Sequence, residues 1–363
     1  MPKLASMRLL MLSSFDSTQC QPDDHCLNLM RCNFFQSIAR RLVQSILFGL
    51  VIHLSGAPLV HAQDGELKLV QVAPRTWFAQ GAAALGSKSN RNFISNAGFV
   101  VTNAGVVVID ALGSPAVAES LLEQIRAVTN QPIRMVIVTH YHADHIYGLQ
   151  VFKDAGATIL AHASGREYLN SETAQRRLEA SREELAPWVN AQTRLVSADQ
   201  WLERPVTHLN LGSEDIVIQH VGPAHTAEDL VVYFPQTGVL FAGDLFFQGR
   251  IPFVGQANSK FWIQSLERIM QFRPKYVVPG HGPISIDPMS DLQLTRDYLA
   301  YLRKSMGAAA REMEPFDEAY SNTDWSRFEN LPLFKAANRM NAYNTYLLME
   351  RSGGSDTLDE VVR

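Results

Sequence analysis

The sequence predicts an α/β sandwich, on the evidence of three features. Short apolar segments typical of strands occur in two groups, one between residues 67 and 161 and one between residues 216 and 278. Segments with helical character separate and follow these strands. The chain has 363 residues, of which 46% are hydrophobic, so it can bury a substantial core. Because the sequence shows no repeat of solenoid length and no low-complexity linker, one domain is the simpler interpretation.

The first group begins with strand-like segments joined by turns that contain asparagine and glycine, at 96–98 and 103–105. Ser114 and Pro115 combine a capping hydroxyl with a proline in the first turn, so we predict a helix from there to residue 128. Residues 164–195 are charged and helical in character and are predicted to form an insertion over one edge. The other predicted elements are strands at 77–78, 93–101, 106–109, 133–138 and 158–161 and a helix at 146–154.

The second group leads into a helical C-terminal part. Its predicted elements are strands at 216–221, 230–234, 239–241 and 276–278 and a helix at 260–271. Residues 289–350 then predict a helical extension, with helices at 291–312 and 333–350. Residues 353–363 predict a loose tail. We therefore expect a single domain over residues 63–352.

The N-terminal segment has the organisation of a secretory signal. Arg31, Arg40 and Arg41 precede a mostly apolar run at 42–54, and small residues follow up to Ala62. The apolar run is shorter than the roughly 20 residues that span a membrane, which favours a cleaved signal over a retained anchor. We predict a leader over residues 1–62 and a periplasmic or secreted mature protein without stable membrane insertion. All three cysteines lie in this leader, so the mature chain would use no thiolate ligand.

The charge balance bears on the class of partner. The formal net charge is −4, whereas a nucleic-acid-binding protein would show clustered lysine and arginine and a high isoelectric point. We therefore predict a small-molecule substrate and no nucleic-acid partner. The sequence does not indicate an oligomeric state.

The densest cluster of metal-binding residue types follows the predicted strand at 133–138 and consists of His140, His142, Asp144 and His145. It lies at the carboxyl end of a strand, where α/β folds usually bind ligands. In an extended segment residues two apart face the same side, so His140 and His142 can bind one ion. Asp144 and His145 fall at the turn into the next helix and can bind a second ion. Imidazole suits zinc and iron, and carboxylate adds a harder, charged donor.

Three further polar residues occur in the same setting, each after an apolar strand of the second group: His225, Asp244 and His281. Glycines beside them, such as Gly243 and Gly280, allow sharp turns of the backbone. A histidine on its own is more often structural, and we expect this for the rest of the domain's histidines, His162, His208 and His220. Four strand-end sites in one chain favour a common metal centre.

With these motifs, the chain resembles the metallo-β-lactamase superfamily over about residues 67–286. The resemblance implies an αββα sandwich with two metal ions at one edge, zinc in first place and iron or manganese as alternatives. It assigns one ion to His140, His142 and His225, the other to Asp144, His145 and His281, and the bridging position to Asp244. Asp110 matches the family's first motif, an aspartate after an apolar strand, and would orient a ligand from behind.

Asp244 distinguishes the chain within this superfamily. Some lactamase subclasses have a cysteine there and others have no bridging aspartate, so the chain is more similar to glyoxalase II, lactonases and related hydrolases. The helical part after Pro288 does not resemble the tail of glyoxalase II, which argues against a glutathione thioester substrate. The segments 243–253 and 338–343 resemble zinc hydrolases found beside periplasmic sulfur-oxidation or quinoprotein systems.

This ligand set predicts a hydrolysis in which a metal-bridging hydroxide attacks an ester, thioester, lactone or lactam carbonyl. A metal ion would hold the oxyanion, and water or Asp144 would protonate the leaving group. Arg250 could bind an anionic group of the substrate or could have a surface or structural role. Thr226 could form a hydrogen bond behind the ligands.

Two other functions remain open from the sequence. A mononuclear iron dioxygenase of the persulfide type, with the same fold, would hold one iron with three of these ligands and consume oxygen. A non-catalytic metal-binding or partner-binding protein would hydrolyse none of the substrate classes above. The flavo-diiron branch is disfavoured, because it has a glutamate where this chain has His142.

Overall fold

The computed structural model describes residues 67–255 and 257–352. The leader predicted over residues 1–62 and the tail predicted over residues 353–363 lie outside the described residues. Among the helices of the described part, none has the length and apolar character needed to cross a bilayer.

The described residues form two β-sheets. The first contains, in spatial order, β1 (Leu69–Ala73), β2 (Thr76–Ala79), β3 (Ala97–Thr102), β4 (Gly105–Ile109), β5 (Ile133–Ile137), β6 (Thr158–His162) and β7 (Gln200–Leu202). Strands β1 to β4 are antiparallel neighbours, and β4 to β7 are parallel neighbours. The parallel strands therefore end at the same edge of the sheet, and the loops that follow them meet there.

The second sheet has the spatial order β12, β11, β10, β9, β8. Its strands are β8 (Val206–Leu211), β9 (Glu214–His220), β10 (Leu230–Phe234), β11 (Val239–Phe241) and β12 (Tyr276–Val278). Strands β8 to β11 form an antiparallel meander, and β12 adds to β11 in parallel. Because β11 and β12 run in the same direction, the residues that follow them lie side by side.

The helices of the described part divide between the two sheets. Those that follow the first sheet's strands are α1 (Pro115–Val128), α2 (Ala143–Ile146), α3 (Leu149–Asp154), α4 (Gly165–Leu169) and α5 (Glu172–Glu184). Those of the later sequence are α6 (Ser259–Gln271), α7 (Pro288–Glu312), α8 (Phe316–Asn322) and α9 (Phe334–Arg351). Helices α4 and α5 lie in the segment predicted as an insertion, and α7 to α9 form the helical C-terminal part.

The two sheets pack face to face and carry helices on their outer faces. Between them lies a core in which Val107 and Ile137 of the first sheet join Ile218, Val232 and Phe241 of the second. A second cluster packs α1 against the first sheet, and a third packs α6, α7 and α9 against the second sheet. The predicted αββα sandwich is confirmed.

Most predicted elements are confirmed to within a few residues, and one helix is wrong. Of the helix predicted over 146–154, only Leu149–Asp154 is formed, as α3; Ile146 ends the separate helix α2, and Tyr147 and Gly148 lie between the two. A side chain at Gly148 would place its Cβ 2.0 Å from the carbonyl oxygen of Ala111, so the backbone packs directly against the loop after β4. Strands β7 and β8 and helix α8 were not predicted.

Candidate metal centre

The structure brings the seven predicted ligand residues together at one edge of the sandwich. They form two groups, within each of which the possible ligand atoms lie within 4.8 Å of one another. The groups are His140, His142, His225 and Asp244, and Asp144, His145 and His281. This division matches the assignment that the family resemblance implied, and it arises from segments about 140 residues apart in the chain.

Four of the seven residues, His140, His142, Asp144 and His145, lie where they do because they follow the end of β5. The chain leaves the strand at Ile137, continues in extended form through His142, and turns into α2, whose first residues include Asp144 and His145. Asp110, just after the neighbouring parallel strand β4, holds this turn. Its carboxylate accepts hydrogen bonds from the N–H and the hydroxyl of Thr139, both at 2.8 Å, and lies 2.9 Å from Nδ1 of His145.

The other three residues follow strands of the second sheet. His225 lies in the loop after β9, Asp244 in a short 3₁₀ turn after β11, and His281 just after β12. The parallel pairing of Phe241 with Val278 sets the last two side by side. Gly280 is required for this approach, because a Cβ there would lie 2.0 Å from Oδ1 of Asp244.

Asp244 lies between the three histidines of its own group and the residues of the other group, and one of its carboxylate oxygens faces each side. Its Oδ1 is 3.1 Å from Nε2 of His145 and 3.3 Å from Nε2 of His281. Its Oδ2 is 3.4 Å from Nε2 of His225 and 3.8 Å from Nε2 of His140. This is the geometry of a carboxylate that can bridge two cations.

His281 is oriented by residues that sequence reasoning missed. Its Nδ1 lies 2.7 Å from the carbonyl oxygen of Ile94, and its ring stacks on Phe247 with centroids 5.1 Å apart. The amide of Asn96 donates to the carbonyl oxygens of Pro279 and Gly282, on either side of this histidine. Asn96 had a sequence signal only as a turn residue, and Phe247 only as part of the segment 243–253.

The ionisable side chains of the cluster shift one another's pKa values. Although burial by itself would lower the pKa of His145, the carboxylates of Asp244 and Asp110 raise that pKa well above its ordinary value. Burial and the nearby His145 lower the pKa of His140. Burial would raise the pKa of Asp244, but His281 and His145 hold it well below its ordinary value. The central carboxylate is therefore ionised, and a cation that binds here displaces protons from the imidazoles.

The residues present fit two divalent cations. Nε2 of His140 is buried inside the cluster and has no hydrogen-bond partner among the described residues. A buried nitrogen of this kind costs free energy unless something binds it. The donors are imidazole nitrogens and carboxylate oxygens, a set that suits zinc, iron or manganese. Each group supplies at least three donors, as many as the protein usually contributes to a catalytic zinc ion.

Arg250 and Thr226 lie near the cluster without joining it. The guanidinium of Arg250 is buried, and its carbon lies 5.5 Å from the ring centres of both Phe247 and Phe253. Its two terminal nitrogens have no hydrogen-bond partner within the described part of the chain. Thr226 donates from both its N–H and its hydroxyl to the carboxylate of Asp229, at 2.8 Å each. This pairing fixes the loop that carries His225.

A cavity of about 770 Å³ opens beside the seven candidate ligand residues. Five of the cluster residues reach it, namely His142, Asp144, His225, Asp244 and His281. One side is formed by the helices of the insertion, through Ser164 and Tyr168 among others, and another by residues 253–255 and Met340. The cavity is large enough for a small organic molecule whose reactive group lies at the cluster.

Comparison with known proteins supports a family assignment. A family model described as "Metallo-beta-lactamase superfamily" matches residues 90–281, just over half of the chain. Among curated relatives, the chain is 26% identical over 231 residues to "Metallo-beta-lactamase type 2" of Bacillus sp. (strain 170). The aligned residues cover 62% of this chain and 80% of that protein. It is 27% identical over 194 residues to the protein of the same name from Elizabethkingia meningoseptica, covering 52% and 69%.

Solved structures show the same fold. A metallo-beta-lactamase from Pontibacter korlensis aligns with a TM-score of 0.50 at 24% identity, over 64% of this chain and 98% of that one. The sec-alkylsulfatase Pisa1 from Pseudomonas sp. aligns with a TM-score of 0.63 at 18% identity, over 78% of this chain and 50% of that one. At these identities the likeness concerns the fold.

Proposed function

The chain belongs to the metallo-beta-lactamase superfamily, and from this premise we propose that it is an exported zinc hydrolase acting on an ester, thioester, lactone or lactam carbonyl. The observation that carries the proposal is the position of Asp244, with one oxygen directed at each of two buried groups of donors. A single bound ion would need only one group of ligands. The possible ligand atoms of Asp144, His145 and His281 nevertheless also lie within 4.8 Å of one another, as those of the first group do.

The protein's own residues suit this chemistry. Two zinc ions held by the seven residues would supply Lewis acidity for the carbonyl and a water-derived nucleophile at neutral pH, since metal binding lowers the pKa of water from about 15.7 to about 7. The side chain of Asp144 is 18% exposed and lines the cavity, whereas that of Asp244 is 5% exposed. Asp144 is therefore the carboxylate that we propose exchanges a proton with the leaving group.

We propose that the buried charge of Arg250 favours an additional anionic group on the substrate: Arg250 does not itself line the cavity, but its guanidinium lies over the ring of Phe253, which does. Burial lowers its pKa to about 10, against the opposing effect of Asp244 and Asp144, so the guanidinium remains charged at neutral pH. Its terminal nitrogens offer donors that no described residue accepts. The guanidinium carbon lies 5.5 Å from the ring centres of Phe247 and Phe253, within the range of cation–π contacts.

The experiment that tests this function combines metal analysis with a substrate panel. The chain purified after export should contain two zinc ions and hydrolyse at least one member of a panel of esters, thioesters, lactones and lactams. His142→Ala should lose about 100-fold or more of this activity, because it removes a ligand of one ion. His208→Ala, a histidine on β8 at the far edge of the second sheet, is the matched control. Full activity in His142→Ala, or one iron per chain with oxygen uptake, would overturn the proposal.

Export is a separate part of the proposal and has its own test. Mass spectrometry of the chain from a bacterial periplasmic fraction should give an N-terminus after Ala62. An uncut chain in the cytoplasmic or membrane fraction would contradict it. The association with sulfur-oxidation or quinoprotein systems stays a prediction.

A further inference from the structure

Helix α9 reaches the cavity although it lies outside the part of the chain that matches the family model. That match ends at residue 281, whereas α9 covers Phe334–Arg351. Met340 of this helix lines the cavity and is 46% exposed. It lies with Phe253 and Val254, which come from the loop between β11 and α6. We call these three side chains, Phe253, Val254 and Met340, the apolar wall.

Asn341, the next residue of α9, attaches that loop to the helix. Its amide nitrogen donates to the carbonyl oxygen of Pro252 at 2.7 Å, and its amide oxygen accepts from the N–H of Val254 at 2.9 Å. The side chain is fully buried. These two bonds bracket Phe253, so the backbone of the residue that lines the cavity is held from both sides.

A buried polar network fixes Asn341 in turn. Its amide nitrogen also donates to the hydroxyl of Tyr298 at 3.0 Å, and this hydroxyl donates to Asn338 at 2.8 Å. Asn338 donates to the hydroxyl of Tyr320 at 3.1 Å. Helices α7 and α9 are thereby joined by buried hydrogen bonds, and a half-buried one adds α8, so the loop is held in one defined position.

We infer that α9 is a specificity element of the active site: the apolar wall binds an alkyl or aryl substituent of several carbons on the substrate, and Asn341 is the positioning residue that holds the wall. The inference rests on the proposed hydrolase function, because it takes the cavity as the substrate site. It links the two segments, 243–253 and 338–343, that the sequence marks as similar to one group of hydrolases.

The test is a chain-length series of p-nitrophenyl esters, from acetate to octanoate, with the zinc-loaded chain. The wild type should prefer octanoate to acetate in kcat/KM. Met340→Trp fills the space beside the wall and should lower the octanoate-to-acetate ratio of kcat/KM about tenfold. Met313→Trp changes a methionine that is 85% exposed and should leave the ratio unaltered. An unchanged ratio in Met340→Trp would overturn the inference.

The positioning role of Asn341 has a distinct readout. Asn341→Ala should raise KM for octanoate about fivefold or more and leave kcat for acetate nearly unchanged, since the loop loses its attachment but the metal ligands do not. Asn344→Ala, one turn further along the same helix, is the control. Equal losses in kcat for both esters would show that Asn341 acts through stability alone, which contradicts the positioning role.

Failure of the hydrolase proposal can be separated from failure of this inference. If the wild type hydrolyses none of the esters, calorimetric binding of octanoate and acetate to the zinc-loaded chain tests the wall directly. Octanoate should bind about tenfold more tightly than acetate, and Met340→Trp should remove the difference. Equal affinity of the wild type for the two carboxylates would overturn the inference, whether or not any ester is cleaved.

Discussion

Asp110 lies behind the candidate ligands and holds two residues of the segment that carries them. One carboxylate oxygen accepts from the backbone of Thr139, and the other contacts both the Thr139 hydroxyl and Nδ1 of His145. Asp110 has a φ of 59°, in the left-handed region that aspartate tolerates better than most residues. The carboxylate thus sets both the path of the backbone before His140 and the ring orientation of His145.

We expect Asp110→Asn to weaken zinc binding about 10- to 100-fold, the usual effect of removing a partner behind a metal ligand. An amide has one accepting oxygen where the carboxylate has two, so either the Thr139 N–H or the Thr139 hydroxyl together with Nδ1 of His145 loses its acceptor. Competition with a chelator of known affinity measures the change. Asp215→Asn, an aspartate that binds Asn210 and Gln236 on the surface, is the control. Affinity within twofold of the wild type would contradict the expectation.

The seven residues of the candidate metal centre could be grouped from the sequence because each follows an apolar strand, and parallel strands end at a common edge. The residues that hold the ligands could not be found in this way. Asn96 and Phe247 are ordinary in type and act across long separations in sequence, 186 residues between Asn96 and Gly282, so their roles become visible only in the folded chain. The same holds for Asn341, which holds the loop of Phe253 and not a ligand. Their sequence signals, a turn for Asn96 and the segments 243–253 and 338–343 for Phe247 and Asn341, do not indicate which residue of each has such a role.

At the scale of elements, strongly periodic segments were predictable and tertiary contacts were not. Helix α1 begins at its proline and ends at Val128 as predicted. The break between α2 and α3 depends on the approach of Gly148 to Ala111, which periodicity does not encode. Strand β8 is an edge strand whose residues alternate between exposed and half-buried, so it lacks the apolar signal of the inner strands.

Two elements from different sheets meet through a histidine pair. His162 ends β6 and His220 ends β9, and their rings stack with centroids 3.6 Å apart and planes within 6° of parallel. Nδ1 of His162 accepts from the N–H of Ser164, and Nε2 of His220 lies 2.9 Å from the carbonyl oxygen of Ala227. Burial and the neighbouring His220 lower the pKa of His162 to about 4.

This pair predicts a loss of stability in mild acid. Between pH 6.5 and about 4 the unfolded chain binds a proton at His162 that the folded chain does not, so the free energy of unfolding falls as the pH falls through this range. His162→Gln should flatten that part of the profile. Urea unfolding at pH values from 4 to 7 measures it, with His208→Gln as the control. Parallel profiles for His162→Gln and the wild type would contradict the low pKa.

At the scale of the whole molecule, the residues of the candidate metal centre come from both sheets. His140, His142 and His145 follow a strand of the first sheet, whereas Asp244 and His281 follow strands of the second. Both groups of donors combine residues from the two sides. Any cation bound there would connect the two layers at one edge, while the apolar core connects them elsewhere.

Removal of metal should therefore destabilise the entire sandwich and not only the loops around the site. A cation that binds the folded chain alone stabilises it by RT ln(1 + [L]/Kd), about 4 kcal/mol when free zinc is 1,000 times Kd. The melting temperature should rise with the logarithm of buffered free zinc and fall after treatment with a chelator. His142→Ala should show a weaker dependence, because one ion loses a ligand from the first sheet, and His208→Ala should behave as the wild type. A melting temperature independent of zinc would mean that the seven side chains do not bind this cation in the folded chain. The two layers would then be held together by their apolar core alone.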